Sequence, residues 1–173
     1  MPILTYWLAP AEPARSHFVS LICDLAARFD APIFEPHITI YVTAAERENP
    51  GELLKRALAA CRPYRLSISG IDFSDKFSKT LFVRFESNEE LTALSANFRS
   101  ASISQREYDL NPHLSLIYKK MPRETKEEIA GSLSLPFQEV FFDSAKAVIS
   151  PARIKSREDV EAWRVVATQL LSE

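Results

Sequence analysis

Glycine, which many phosphate-binding loops require, is scarce in this sequence. Only three of the 173 residues are glycine, and they stand far apart at Gly51, Gly70 and Gly131. The loops that cradle phosphates in P-loop proteins and in dinucleotide-binding folds need several glycines within a few positions. The sequence contains no such group, which argues against nucleotide chemistry through either of these two loops.

The sequence has only two cysteines and no long apolar run. Cys23 and Cys61 are the only cysteines, and their spacing matches neither a metal-ligand motif nor a disulfide framework. The first ten residues lack the charged start and apolar core of a signal peptide. No run approaches the roughly 20 apolar residues of a membrane-spanning helix. The sequence therefore predicts a protein of the reducing cytoplasm that is not associated with a membrane.

An excess of positive charge is also missing. Lysine and arginine number 21 against 23 aspartate and glutamate, which gives a formal net charge of −2. Proteins that hold long nucleic acids through many phosphates usually carry a basic excess. We therefore expect a small phosphate-bearing ligand and no stable nucleic-acid partner. The length and the 46% hydrophobic content fit a single domain over residues 1–173, and a monomer is expected.

Hydrophobic periodicity and the positions of prolines divide the chain into helices and strands. Strands are predicted over residues 3–9, 37–42, 65–73, 80–85, 112–118, 140–150 and 163–171, and helices over 14–29, 51–61, 89–100 and 124–133. A polar connection is predicted over 151–159. This order of elements predicts an α+β domain with mostly antiparallel sheets.

A short motif occurs twice, about half a chain apart. Residues 36–41 read PHITIY and residues 112–117 read PHLSLI. Side chains alternate along a strand, so a histidine and the hydroxyl two positions later share one face in each copy. Two such strands side by side would place two imidazoles and two hydroxyls around one small cleft. The repeat also predicts two lobes related by approximate twofold symmetry.

These four side chains, His37, Thr39, His113 and Ser115, suffice for phosphoester hydrolysis without a metal. Imidazole titrates near pH 6.5, so one ring can be neutral and the other protonated near neutrality. The neutral ring takes a proton from water, and the protonated ring gives one to the leaving oxygen. The hydroxyls can donate hydrogen bonds to phosphoryl oxygens. The third histidine, His17, has no hydroxyl partner and is predicted to lie on the surface or to cap a helix.

The two motifs resemble the duplicated His-X-Thr/Ser signature of the 2H phosphoesterase superfamily. Residues 112–118 are most similar to its cyclic phosphodiesterase branch, which carries a tyrosine five residues after the second histidine, as Tyr118 is here. The resemblance implies a bilobal fold in which two antiparallel sheets line a central cleft, with helices outside. It also implies metal-independent hydrolysis of 2′,3′-cyclic nucleotides or of ADP-ribose 1″,2″-cyclic phosphate, without a cofactor.

Matching motif positions implies that His37 and His113 are the acid/base pair and that Thr39 and Ser115 bind phosphate. Tyr118 would contact the phosphate or the sugar. Family analogy suggests His113 as the base and His37 as the acid, although the residues themselves leave this division open. Strand alternation places Tyr118 on the face opposite His113, so its use requires a bulge or a strand that ends before it.

An aromatic in the polar loop 74–80, Phe77, is a candidate to stack on the base of the substrate, because loops often carry binding residues. The alternative is that Phe77 folds back onto the core. Trp163, at the start of the last predicted strand, could line the cleft or serve packing alone.

Three other functions stay open at this point. An RNA-end enzyme that ligates or trims 2′,3′-cyclic termini would need a basic track, which the net charge does not provide. An idle nucleotide- or phosphate-binding module would bind the same ligands without turnover. Metal-dependent hydrolysis would need further ligands; Asp109 lies near His113, yet no metal-ligand spacing is present.

Overall fold

A computed structural model describes residues 1–172 of the chain. The strands are β1 (Ile3–Pro10), β2 (Ile38–Ala44), β3 (Tyr64–Phe73), β4 (Leu81–Phe85), β5 (His113–Ile117), β6 (Glu139–Ser150) and β7 (Arg164–Leu170). The helices are α1 (Ala14–Phe29), α2 (Pro50–Ala57), α3 (Glu89–Ala101), α4 (Arg123–Ser132) and α5 (Arg157–Glu161), and a 3-10 turn spans Phe77–Lys79. Each predicted strand and helix is present, which confirms the α+β class.

The segment predicted to be a polar connection contains the short helix α5. Its first turn is fixed by a capping box, in which the Ser156 hydroxyl accepts a hydrogen bond from the Asp159 amide and the Asp159 carboxylate accepts one from the Ser156 amide. Val160 then anchors the helix by burying its side chain. The polar connection predicted over residues 151–159 is therefore helical from Arg157 onward, which was not predicted from the sequence.

All strand pairings are antiparallel, and the seven strands form one sheet in the order β1-β2-β5-β4-β3-β6-β7, with an additional pairing of β1 with β6. Strand β6 is long enough to pair with β3 through residues 139–142 and with β1 through residues 142–150. Strands β2 and β5 meet through one residue pair, Ile38 and Leu114. The two sheets that the resemblance implies are thus joined at both ends, and the strand pairing closes on itself.

The two halves of the chain repeat one arrangement, β1-α1-β2-α2-β3 and β4-α3-β5-α4-β6. In each half the first strand pairs with the second, and the third strand crosses over to pair with the first strand of the other half. The pairings of β2 with β5 and of β3 with β6 therefore lie at equivalent places in both halves. This is the approximate twofold symmetry that the repeated motif predicts.

The helices cover the apolar face of the central strands. Helix α1 packs against β5, and helix α3 packs against β2. The residues of β2 and β5 that alternate with the motif histidines and hydroxyls are completely buried: Ile38, Ile40, Leu114 and Leu116. Burial of these side chains against the helices leaves the opposite face of both strands for the polar motif residues. None of the helices described is both long and apolar enough to span a bilayer.

Candidate active site

The pairing of Ile38 with Leu114 sets the geometry of the site. In an antiparallel pair, the residues one step to either side of a paired position also lie opposite each other. His37 therefore faces Ser115 across the strands, and Thr39 faces His113. Each histidine lies opposite the hydroxyl of the other motif, so the four groups form one compact set.

These four side chains line a cavity of about 420 Å³. Alternate residues of β1, ending with Trp7, form one wall, and the loop before β4 forms another. Tyr108, Asp109, Asn111 and the segment after β6 also line the cavity, together with Trp163 and Tyr118. The cavity is large enough for a small phosphate ester and has both polar and aromatic walls.

The first histidine is held in an aromatic enclosure. His37 is 7% exposed, and the Trp7 indole stacks on its ring with the centroids 3.7 Å apart and the planes 10° apart. Trp163 and Phe34 meet the ring edge to face at 5.6 and 6.4 Å. Burial lowers the pKa of His37 to about 4, although the carbonyl of Glu35 opposes this shift.

The second histidine is more open. His113 is partly exposed, and the Phe82 ring meets it edge to face at 5.4 Å. Burial lowers the pKa of His113 below its usual value, the Asn111 carbonyl opposes this, and the positive charge of Lys79 lowers the pKa further. Because both pKa values are lowered, both rings are mainly neutral at pH 7 in the free protein. The expected combination of one neutral and one protonated ring is therefore not its main state.

Both imidazoles are oriented in the same way. The Nδ1 atom of His37 lies 2.7 Å from the carbonyl oxygen of Glu35, and Nδ1 of His113 lies 2.7 Å from that of Asn111. A carbonyl oxygen only accepts hydrogen bonds, so Nδ1 carries the proton in each ring. The Nε2 atoms are then the unprotonated nitrogens that exchange protons with a ligand.

The hydroxyls of the two motifs differ in their surroundings. Thr39 is half-buried, and its hydroxyl makes no hydrogen bond to any group within residues 1–172, so it is available to a ligand. Ser115 is 4% exposed and lies beside Tyr118. Both hydroxyls line the cavity together with the two histidines.

Tyr118 reaches the cavity because strand β5 is irregular at its end. The register of β5 against β4 shifts so that Leu116 has no partner, and the strand ends at Ile117. The side chain of Tyr118 can therefore leave the alternation that would have placed it opposite His113. Burial raises the pKa of Tyr118 to about 12, with Ser115 opposing, so its hydroxyl is protonated and can donate a hydrogen bond at neutral pH.

The structure does not bring Phe77 to the wall of the cavity. Its ring packs on the outer side of Tyr118, with the centroids 6.2 Å apart, as part of a small cluster with Ile22, Phe34 and Val160. The residues on either side of it in the loop, Lys76, Ser78 and Lys79, line the cavity instead. Phe77 thus supports Tyr118 from behind.

Three residues that line the site were not predicted from the sequence: Trp7, Lys76 and Lys79. Trp7 lies on β1, where every residue from Leu4 to Pro10 is buried, so no alternation shows which face meets the cleft. Lys76 and Lys79 lie in a loop without periodicity. Trp163 does line the cavity, where its ring meets Trp7 edge to face at 5.3 Å. His17 lies outside it, on α1 beside Phe137.

The acidic residue Asp109 lines the same cavity as both histidines. Within the part of the chain that the structure describes, no group of three or more histidine, cysteine or acidic side chains is arranged to hold a metal ion.

Comparison with known proteins identifies relatives over nearly the whole chain. The model of the family described as cyclic phosphodiesterase-like protein matches residues 1–171. A cyclic phosphodiesterase of Arabidopsis thaliana is 22% identical over 172 residues, which cover 95% of this chain and 93% of the plant protein. The structure of E. coli LigT complexed with 3′-AMP aligns over the full length of both chains, with a TM-score of 0.61 and 15% identity. A structure described as a phosphoesterase aligns equally completely, with a TM-score of 0.62 and 13% identity.

Proposed function

This chain belongs to the cyclic phosphodiesterase-like protein family of the 2H phosphoesterases and is a phosphodiesterase, and from that premise we propose that it opens the cyclic phosphate of a small nucleotide with His37 and His113. The proposed substrates are 2′,3′-cyclic nucleotides or ADP-ribose 1″,2″-cyclic phosphate. The observation that carries the proposal is the pairing of Ile38 with Leu114, which sets each histidine opposite the hydroxyl of the other motif.

The proposed reaction is an in-line attack of water on phosphorus. One histidine accepts a proton from water at Nε2 while the water oxygen bonds to phosphorus. The ring P–O bond on the opposite side of phosphorus breaks, and the other histidine donates a proton from Nε2 to the leaving oxygen. The backbone carbonyls of Glu35 and Asn111 hold Nδ1 of the two rings, so each Nε2 atom is free for these transfers.

Binding of the anionic substrate raises the pKa of the histidine that acts as the acid. A cyclic phosphate is an anion, and an anion near an imidazole stabilises the imidazolium form and raises the pKa of the ring. The free protein keeps both rings mainly neutral because burial lowers both pKa values. We therefore infer that one ring gains its proton with the substrate, so that acid and base are paired only in the complex.

The surroundings of the rings favour His37 as the base and His113 as the acid. His37 is buried among aromatic rings, and its pKa of about 4 keeps it neutral. His113 is more open to solvent, so it takes up a proton more easily. This division is the reverse of the one that family analogy suggests.

The hydroxyls would stabilise the charge that develops on the phosphoryl oxygens. Thr39 and Ser115 face the histidines across the strands and line the same cavity, so both can donate hydrogen bonds to the transition state. Tyr118 would add a third hydroxyl donor to the phosphate or the sugar. Phe77 would act through Tyr118, by fixing the position of its ring.

Turnover in the absence of free metal tests the proposal. The purified protein is incubated in excess EDTA with 2′,3′-cyclic AMP and, separately, with ADP-ribose 1″,2″-cyclic phosphate, and the products are resolved by phosphorus NMR. Adenine nucleotides suit the test because related LigT structures hold 3′-AMP, ATP and NADP+. We expect one phosphomonoester product, whose chemical shift identifies the leaving oxygen.

The variants His37→Ala and His113→Ala are measured alongside, with His17→Ala as the matched control. Turnover that is lost in the first two and kept in the control supports the two-histidine mechanism. Intact nucleotide binding without turnover in the parent protein would favour a binding module. Turnover that survives both motif substitutions would refute the assignment of the site.

A further inference from the structure

The loop between β3 and β4, residues 74–80, brings positive charge to the cavity. We call it the basic loop. Lys76 and Lys79 both line the cavity, with Ser78 between them. The proposed reaction at the cyclic phosphate uses the two histidines and the hydroxyls, and it leaves both of these ammonium groups without a role.

No carboxylate lies within ion-pair distance of either lysine, Lys76 or Lys79, in the part of the chain described. The two nearby carboxylates are engaged elsewhere, Asp72 with Arg84 and Asp75 with Lys126. One carboxylate, Asp109, lines the cavity as well, so the two lysines outnumber the acids on its described walls.

Lys79 lies on the His113 side of the cavity. Its ammonium nitrogen is 4.6 Å from the centroid of the Phe82 ring, and the same ring meets His113 at 5.4 Å between centroids. The ammonium group and the imidazole therefore both contact the same phenyl ring and lie close to each other. A bound ligand that extends from the catalytic centre past His113 would contact Lys79.

The backbone of the basic loop, from which both lysines extend, is anchored by hydrogen bonds. The ammonium group of Lys126, itself 4% exposed, donates hydrogen bonds to the Ser74 carbonyl at 2.9 Å and to the Asp75 carboxylate at 3.1 Å. Within the loop, the Ser74 hydroxyl donates to the Lys79 carbonyl, and the Thr80 hydroxyl donates to the Phe77 carbonyl at 2.9 Å. A preorganised loop loses less entropy on binding than a mobile one.

We propose that Lys76 and Lys79 bind a second phosphate of the substrate, so that the site selects cyclic nucleotides that also carry a phosphate at the 5′ position. The inference rests on the proposed function, because it takes the cyclic phosphate to lie between the two histidines. A 2′,3′-cyclic nucleotide places its 5′ carbon on the other side of the ribose from the reacting phosphorus. Lysine is suited to this role as a compact point charge with three donors.

The test compares 2′,3′-cyclic AMP with the same compound phosphorylated at the 5′ position. The parent protein, Lys79→Met, the double variant of Lys76 and Lys79 to methionine, and Lys120→Met are compared at one pH. Lys120 is exposed and lies outside the cavity lining, so it serves as the matched control. We expect the parent and the control to prefer the phosphorylated substrate by about tenfold or more in kcat/KM, and the double variant to lose this preference. The preference should also fall as salt is raised.

Binding without turnover keeps this inference separate from the proposed function. Calorimetry compares adenosine 3′-phosphate with adenosine 3′,5′-bisphosphate in the same four proteins, and the same tenfold preference, lost in the double variant, is expected. If this preference is found without hydrolysis of either cyclic compound, the second-phosphate site stands and the proposed reaction fails. If the parent treats the two members of each pair alike, or the double variant keeps the preference, the second-phosphate site is refuted whether or not the cyclic compounds are hydrolysed.

Discussion

The two copies of the motif have the same backbone environment and different side-chain environments. In both copies a carbonyl two residues before the histidine accepts the Nδ1 hydrogen, at 2.7 Å in each case. Around His37 the side chains are Trp7, Trp163 and Phe34, whereas His113 has the Phe82 ring and the nearby charge of Lys79.

This difference shows how a symmetric fold can produce unequal catalytic groups. The repeated arrangement explains why two histidines line one cavity with the same nitrogen available to a ligand. It does not explain why the His37 ring is buried, with its pKa lowered to about 4, whereas the His113 ring is more exposed to solvent. The side chains that make the two surroundings different come from outside the motifs. In the proposed mechanism, this difference makes His37 of the first half the base and His113 of the second half the acid.

The largest predicted effect is the loss of either histidine. We expect His37→Ala and His113→Ala each to lower kcat by about 10²–10⁴-fold, because each removes one proton transfer. His17→Ala should retain the parent rate, since His17 lies outside the cavity. Steady-state kinetics on 2′,3′-cyclic AMP measures this, and a motif variant with the parent rate would show that the two halves do not share the chemistry.

The second-largest predicted effect is the loss of a motif hydroxyl. Removal of one donor to a developing oxyanion lowers rates by about 10²–10³-fold, so Thr39→Val and Ser115→Ala should each reduce kcat/KM by this order. Thr39→Ser and Ser115→Thr keep the donor and should restore most of the activity. Rates measured for all four variants test whether the halves contribute equally. A Thr39→Val variant with parent kcat/KM would remove this hydroxyl from the proposed site.

The burial of His37 should also be visible in stability, without any assay of activity. A histidine with a folded pKa of about 4 and an ordinary unfolded pKa binds more protons when unfolded, so stability is complete above about pH 6.5 and is lost as pH falls towards 4. This single group accounts for about 3 kcal/mol of the difference between pH 7 and pH 4.

His37→Asn keeps a donor for the Glu35 carbonyl and removes the titrating ring, so its free energy of unfolding should fall less between pH 7 and pH 4 than that of the parent. His113→Asn is the matched comparison and should change the pH dependence less, because this ring is more open. Urea unfolding at the two pH values measures both. Equal pH dependence in the two variants would contradict the difference in burial.

The smallest predicted effect belongs to Phe77. Since its ring supports Tyr118 from behind and does not line the cavity, Phe77→Leu should change KM by less than about tenfold. Direct stacking on a base would instead contribute about 1–3 kcal/mol. Tyr118→Phe tests the residue that does reach the cavity. A larger effect on KM from Phe77→Leu than from Tyr118→Phe would place Phe77 in contact with the substrate.

The sequence allowed prediction of most of the fold because its elements obey simple periodicities. Helix α1 shows its apolar stripe, and the motif residues 37–40 and 113–116 alternate between polar and apolar side chains after a proline. The capping box that begins α5 is also visible in the sequence, as Ser156 followed three residues later by Asp159. This pattern is a local signal for the start of a helix that the sequence-based prediction did not use.

Other features depend on tertiary contacts that leave no local signal. The pairing of Ile38 with Leu114 joins residues far apart in the chain, and the bulge that releases Tyr118 into the cavity arises from the register with β4. The lowered pKa values of the histidines come from the aromatic rings and charges that other elements bring to them. The four motif residues could therefore be proposed from the sequence, whereas their unequal surroundings could not.

The most direct test of the two-histidine account replaces the leaving oxygen of the 2′,3′-cyclic substrate by sulfur, at the position that the products identify. A thiol has a pKa of about 8.5, so a thiolate leaves without a proton from the acid. The account predicts that sulfur restores the rate of His113→Ala towards that of the parent and does not restore His37→Ala. Rescue of His37→Ala alone would reverse the roles of the two halves, and rescue of neither variant would contradict acid/base catalysis by this pair.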